Sequence, residues 1–138
     1  MAYSLIYSRW YAFRQNLAAV LGIFWRYRPN RWYFLISTAL QILAWILAFR
    51  MFGMLGDDLF VAHYNVDFGI DAIGSPWRVF NIPAAALLVW LFNWLLILVY
   101  ARNEHFHFLT HATGLTALLV QILNILALFS VYLINFLA

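Results

Sequence analysis

The sequence predicts an all-α integral membrane protein, in which three transmembrane helices follow a cytoplasmic amphipathic helix at the membrane interface. Composition is the first reason: 67% of the 138 residues are hydrophobic and 9% are charged, whereas a soluble domain carries about 25% charged residues. The second reason is three long apolar runs, and the third is an uneven distribution of arginine along the chain. A chain of this length is enough for one domain.

Each apolar run is as long as a membrane-spanning helix, which needs about 20 apolar residues to cross a hydrocarbon core about 30 Å thick. The runs cover residues 32–52, 82–101 and 108–138. The third is longer than one crossing requires, so we expect the span to occupy about 108–132 and the remainder to tilt or leave the membrane. Pro83 suits the first turn of the second helix, where a missing N–H is tolerated.

The arginines indicate the orientation, because positively charged flanks are retained in the cytoplasm. Residues 1–31 carry five Arg and no acidic residue, whereas the loop 53–81 carries four Asp and one Arg. We therefore expect a multi-pass protein of the cell membrane, with the N-terminus and the loop 102–107 in the cytoplasm, and the loop 53–81 and the C-terminus outside. The Arg residues lie beside apolar runs instead of forming one basic patch, so nucleic acid is not an expected partner.

Residues 1–31 are expected to form a juxtamembrane helix, and residues 32–138 the transmembrane domain. Apolar side chains recur at steps of three and four over residues 5–27, as in an amphipathic helix; they are Ile6, Trp10, Phe13, Leu17, Val20, Leu21 and Phe24. The alternative, a short span over LAAVLGIFW, has too few residues to cross. We expect the helix to lie on the cytoplasmic leaflet with its Arg near anionic headgroups. Pro29 predicts a break before the first span.

The loop 53–81 is longer than a simple connector and contains many apolar residues, so we expect it to fold back on the ends of the spans or on a partner. The alternation in VDFGID, residues 66–71, predicts its only strand. Four polar residues could bind a cation or a headgroup, or could form the outer face of a packed loop: His63, Asn65, Asp67 and Asp71. Arg78 could pair with either Asp67 or Asp71.

The same loop carries a resemblance to other proteins. An HYNxxFGIDxxG pattern is formed by His63, Tyr64, Asn65, Phe68, Gly69, Ile70, Asp71 and Gly74. It resembles a group of small uncharacterised bacterial multi-pass membrane proteins over residues 63–138. The resemblance implies a membrane location and a recurrent loop. No activity is known for that group, so the resemblance implies no catalytic residue and no cofactor.

Four amide side chains fall near the middle of the predicted spans: Gln41, Asn93, Gln121 and Asn124. Gln121 and Asn124 share a helix face, which Gly114 and Ala117 continue. Small residues let helices approach and amides bridge them, so we expect hydrogen bonds that fix the bundle or an oligomer. The alternative is the polar lining of a substrate or ion path. Such paths usually contain charged residues or His, and none lies at this depth.

A further group of polar residues, NEHFHFLTH, lies between the second and third spans. If the third helix begins early, Glu104, His107 and His111 share one face and could hold a divalent metal at the cytoplasmic surface. The alternative is an interfacial turn without metal, because HExxH is absent and Glu104 could precede the helix. The chain has no Cys, which excludes disulfides and thiolate ligands.

These patterns predict a non-enzymatic accessory or structural component of a membrane assembly, in contact with lipid and with itself or another membrane protein. The sequence contains neither GxSxG nor a Gly-rich phosphate loop, and we expect no catalytic residues and no cofactor. Two alternatives are open. One is a small homo-oligomeric transporter or channel subunit that uses the four amides. The other is a metal- or lipid-dependent membrane enzyme that uses the loop residues or the histidine group.

Overall fold

The computed structural model describes residues 2–56, 60–65 and 69–137, with their side chains except at 2–7, 62–65 and 69–72. The elements in chain order are helix α1 (Ala2–Arg26), helix α2 (Arg28–Leu55), strands β1 (Phe60–Asn65) and β2 (Gly69–Gly74), a 3-10 helix (Pro76–Phe80), helix α3 (Asn81–Val99) and helix α4 (Phe106–Phe136). Helices dominate, as predicted. The two strands form a hairpin within the loop between α2 and α3, and the chain as described is predominantly helical.

Three segments of the described chain are long and apolar enough to span a membrane: Arg28–Leu55, Pro76–Val99 and Phe106–Phe136. They coincide with the three predicted spans and support a multi-pass membrane protein. The α4 helix has 31 residues, or about 46 Å at 1.5 Å per residue. Because this exceeds a hydrocarbon core of about 30 Å, α4 either tilts or projects beyond the core.

The junction between α1 and α2 lies at Tyr27, whose backbone is extended (φ −80°, ψ 107°). Pro29 follows in the first turn of α2, where a residue without an N–H leaves no hydrogen bond unmade. The side-chain Nδ2 of the buried Asn30 donates to the carbonyl oxygen of Phe24 at 3.4 Å. The predicted break is confirmed, and α2 begins at Arg28, earlier than the apolar run.

Helix α4 is the central helix, because both α2 and α3 pack against it. Its buried residues recur at steps of three and four, as in left-handed helix packing; they are Phe106, Thr110, Gly114, Ala117, Gln121, Asn124, Leu128 and Val131. On the facing side of α2, Ala44 and Ala48 are fully buried. The small-residue face predicted at Gly114 and Ala117 is therefore confirmed.

The loop between α2 and α3 folds back on the bundle, as predicted. Phe60 and Val79 are buried in an apolar cluster with Leu128 of α4. The ring of Trp77 lies 4.4 Å from that of Phe52, between centroids. The loop therefore closes one end of the bundle, which we call the loop-side end.

The hairpin differs from the predicted strand. Strands β1 and β2 pair antiparallel, with Phe60 opposite Gly74 and Asn65 opposite Gly69. The strand expected over 66–71 overlaps β2 only at 69–71, and residues 66–68 lie outside the described chain. Strand β1 was not predicted, because FVAHYN begins with three consecutive apolar residues and lacks the alternation of a half-buried strand.

The last turns of helix α1 pack against the bundle. Phe24 is buried in a second apolar cluster with Trp94 of α3 and Phe106 of α4. Further from the junction, the large apolar side chains of α1 are exposed: Trp10, Phe13, Leu17 and Leu21. At 100° per residue these four lie on one side of the helix, and we call them the α1 stripe. The helix predicted over 5–27 is confirmed, and its position on the cytoplasmic leaflet stays a prediction.

Candidate functional site

A cluster of amides joins all three spanning helices inside the bundle. Gln121 Nε2 donates to Gln41 Oε1 at 2.8 Å, and Asn124 Nδ2 donates to Gln121 Oε1 at 3.3 Å. Gln41 Nε2 in turn donates to the carbonyl oxygen of Pro83 at 2.9 Å. The chain of hydrogen bonds therefore runs from α3 through α2 to α4. Three of the four predicted amides come together, and we call them the amide cluster.

The amide cluster is shielded from its surroundings. Gln121 has 0% of its surface exposed, and Gln41 and Asn124 each have 5%. Burying an amide is costly unless it is hydrogen-bonded; Gln41 and Gln121 have partners for both N and O, whereas Asn124 Oδ1 has none among the described residues. Amides neither gain nor lose a proton near neutral pH. This arrangement can hold helices together or bind a water or a solute through hydrogen bonds, and it supplies no acid or base.

Asn93 does not belong to the amide cluster. It is buried on α3 with 6% exposed, and its Nδ2 has no hydrogen-bond partner among the described residues. Counting residues along a span gives depth but not the direction in which a side chain points. For this reason the sequence grouped Asn93 with the other three amides.

A second polar bridge between spans was not predicted. Trp90 Nε1 on α3 donates to Ser37 Oγ on α2 at 3.0 Å, and Ser37 Oγ donates to the carbonyl oxygen of Phe34 at 3.2 Å. Ser37 lies one helical turn before Gln41 on the same face. That spacing is the signal that could have found it.

The histidine group is not arranged as the metal hypothesis requires. Glu104 lies in the turn before α4 and approaches His105, with Oε1 3.4 Å from Nε2 and both side chains largely exposed. His111 points elsewhere and bonds to two tyrosines. Within the described chain, no three His, Asp or Glu side chains come close enough together to hold a metal ion. Glu104, His107 and His111 are therefore not brought together.

His111 lies between two tyrosine hydroxyls. Tyr27 Oη is 3.1 Å from His111 Nε2, and Tyr33 Oη is 3.0 Å from His111 Nδ1. A neutral imidazole has one N–H, so one hydroxyl accepts from the ring and the other donates to it. The His107 ring meets Tyr27 edge to face at 4.6 Å. These contacts hold the α1–α2 junction on the start of α4, opposite the loop-side end.

Neither tyrosine was predicted to contact the histidine group. Tyr33 packs closely against Gly114. A Cβ added at Gly114 would lie 2.5 Å from Tyr33 Cδ2, so only a residue without a side chain leaves room for the ring.

The loop candidates lie largely outside the described residues. Asp67 is outside the described chain, and so are the side chains of His63, Asn65 and Asp71. The backbone register places His63 opposite Ala72, with irregular pairing on both sides of it. Whether these four side chains converge stays a prediction, as does an ion pair of Arg78 with either aspartate.

Comparison with known proteins adds no assignment. The chain matches no family model, no curated protein and no solved structure. The resemblance of the loop to small bacterial membrane proteins stays a prediction.

Proposed function

We propose that the protein is a non-enzymatic structural or accessory component of a membrane assembly. The observation that carries the proposal is the amide cluster, whose buried side chains form a chain of hydrogen bonds that joins all three spans. Every buried polar side chain in the described part of the spans is an amide or a hydroxyl, which supports a bundle built for stability. Such hydrogen bonds contribute about 0.6–2 kcal/mol each between membrane helices.

The proposed orientation places α1 on the cytoplasmic leaflet of the cell membrane and the hairpin outside. On a wheel of 100° per residue, Arg9 and Arg14 flank the two edges of the α1 stripe, which suits a helix lying among anionic headgroups. Arg102, in the turn between α3 and α4, donates to Asn16 Oδ1 of α1 at 3.4 Å. This contact supports placing α1 on the same side of the membrane as the turn between α3 and α4. Cysteines placed at Ser75 and Asn103 would test the orientation, because an impermeant thiol reagent should label only position 75 in intact cells.

The proposed partner is a second copy of this chain or another membrane protein. The spans present large aromatic side chains on their outer faces, among them Phe49, Phe92 and Phe129. Both lipid and a partner helix can cover such faces, so the partner is identified by isolating the assembly from the membrane.

The test is co-isolation from the native membrane. Tagged and untagged copies are expressed together, the membrane is dispersed into polymer nanodiscs without detergent, and all chains retained with the tag are identified and quantified. The expected result is the untagged copy, or one other membrane protein, in a fixed ratio to the tagged chain. A tagged chain recovered alone would overturn the proposal.

A second candidate function, a small homo-oligomeric channel or transporter subunit, is favoured by one observation. Asn93 Nδ2 and Thr110 Oγ1, on α3 and α4, are buried and have no hydrogen-bond partner among the described residues. These atoms keep the capacity to bind a water or a solute inside the bundle. A measurement of ion flux in sealed liposomes separates the two candidates.

A further inference from the structure

A groove of about 470 Å³ lies between α2 and α4 in the half of the bundle nearer the loop-side end. Its volume falls in the range of small-molecule sites, about 300–1,000 Å³. The walls are almost entirely apolar and include Met54 of α2 and Leu126 and Phe129 of α4. Met54, Leu126 and Phe129 are also more than half exposed, so the groove opens to the surroundings of the bundle and not to its interior.

One charged residue, Arg50, lines this groove. It lies five residues before the end of α2 at Leu55, or about 7.5 Å along the helix axis. It forms no ion pair or hydrogen bond with the described residues. An arginine at this depth extends toward the interface to keep its charge solvated. The groove therefore combines an apolar wall with a guanidinium near its end that has no counter-charge in the part of the chain that the structure describes.

The polar side chains that line the groove indicate an anionic ligand. Among the described residues, the groove has no acidic residue in its walls. Tyr132, one turn beyond Phe129 on α4, also lines it and is a second possible hydrogen-bond donor. A guanidinium binds phosphate through paired N–H donors.

We propose that this groove binds an anionic phospholipid of the leaflet on the loop side. An acyl chain lies along Leu126 and Phe129, and the phosphate lies against Arg50. A helix from another protein fits the groove less well, because an apolar helix face would bury the Arg50 charge without a partner. A lipid supplies both parts at the required separation, the apolar chain within the core and the charge at its edge.

The proposal can be tested by native mass spectrometry of the purified protein mixed with phosphatidylglycerol or phosphatidylcholine of equal chain length. We expect Arg50→Gln to weaken phosphatidylglycerol binding by about tenfold, the effect of one lost charge-assisted contact. Binding of phosphatidylcholine should change less, because that lipid also carries a positive group. The matched control is Arg78→Gln, an exposed arginine at the same end of the bundle but outside the groove, which should bind as wild type does.

A second variant tests the apolar wall. Leu126→Trp fills the groove from a position that is 54% exposed, so it should reduce the number of bound lipids without unfolding the bundle. If Arg50→Gln and Leu126→Trp both retain wild-type phosphatidylglycerol binding, the proposal is wrong. It is equally wrong if a photo-crosslinker at position 126 captures protein and no lipid in the native membrane.

Discussion

The side-chain amide of Asn135 forms two hydrogen bonds with the backbone of Val61. Asn135 Oδ1 accepts from Val61 N at 2.9 Å, and Asn135 Nδ2 donates to Val61 O, also at 2.9 Å. The amide pairs with β1 as a neighbouring strand would, and it also donates to the carbonyl oxygen of Val131 at 2.8 Å. One residue near the end of α4 thus attaches the hairpin to the bundle.

Replacing Asn135 by Leu should loosen the hairpin without disturbing the spans. Both backbone groups of Val61 lose their partner, and each such loss costs about 1–3 kcal/mol when the group stays buried. Hydrogen exchange should therefore become faster at the Val61 amide and unchanged in the middle of α4. The control is Ser130→Ala, because Ser130 Oγ bonds only within its own helix, to Leu126 O. Equal exchange at Val61 in Asn135→Leu and wild type would contradict this attachment.

Gln41 and Gln121 should be energetically coupled. Gln121→Leu leaves Gln41 Oε1 and Asn124 Nδ2 without their partner, so each single variant should unfold more easily than wild type. In a double-mutant cycle we expect a coupling of about 0.6–1.7 kcal/mol, the range measured between membrane helices. Reversible unfolding in mixed micelles measures it. Gln15→Leu, at an exposed position on α1, serves as the control. Additive single effects would show that the two amides do not hold α2 and α4 together.

Gly114→Ala should destabilise the bundle, because the new methyl group would lie 2.5 Å from the Tyr33 ring. Overpacking of this kind costs about 1–3 kcal/mol, and the displaced ring should also lose its hydrogen bond to His111. The matched control is Gly53→Ala in α2, where nothing lies within 4 Å of an added Cβ. That variant should be as stable as wild type or slightly more so, since Ala favours helix. Equal melting temperatures for the two variants would argue against the close Tyr33–Gly114 contact.

The α1 stripe should be immersed in lipid while the opposite face of α1 meets water. Spin labels at Leu17, in the stripe, and at Ala19, about 200° away on the wheel, test this in vesicles. Oxygen should relax the label at position 17 more strongly, and a water-soluble nickel chelate the label at position 19. If both labels respond as lipid-exposed, α1 is not interfacial. If both respond as water-exposed, the stripe contacts no membrane.

The sequence predicted the parts of the fold that depend on composition and periodicity. The three spans, the break at Pro29 and the small residues at Gly114 and Ala117 follow from apolar length, backbone restriction and helical spacing. The three members of the amide cluster could be predicted for a related reason. An amide that faces lipid has no hydrogen-bond partner, which is costly, so each amide side chain is expected to face another helix.

Contacts that depend on how helices rotate and cross could not be predicted. Tyr27 and His111 are 84 residues apart in the chain, and Asn135 and Val61 are 74 apart. No local sequence pattern specifies which of several polar side chains at the same membrane depth will form a hydrogen bond. Asn93 shows the same limit, because its depth suggested the amide cluster while its direction on α3 kept it apart. Strand β1 was missed because it begins with three consecutive apolar residues and therefore lacks alternation.

The most direct test of the structural role is a flux measurement in sealed liposomes. Wild type and Gln121→Leu are reconstituted at equal density, and the movement of K⁺ and H⁺ is followed with entrapped dyes. Because Gln41, Gln121 and Asn124 bond to one another and are buried, we expect both proteins to leak no faster than protein-free liposomes. Flux through wild type that exceeds this background would contradict the structural role, and its loss in Gln121→Leu or in a further variant, Asn93→Leu, would favour a channel.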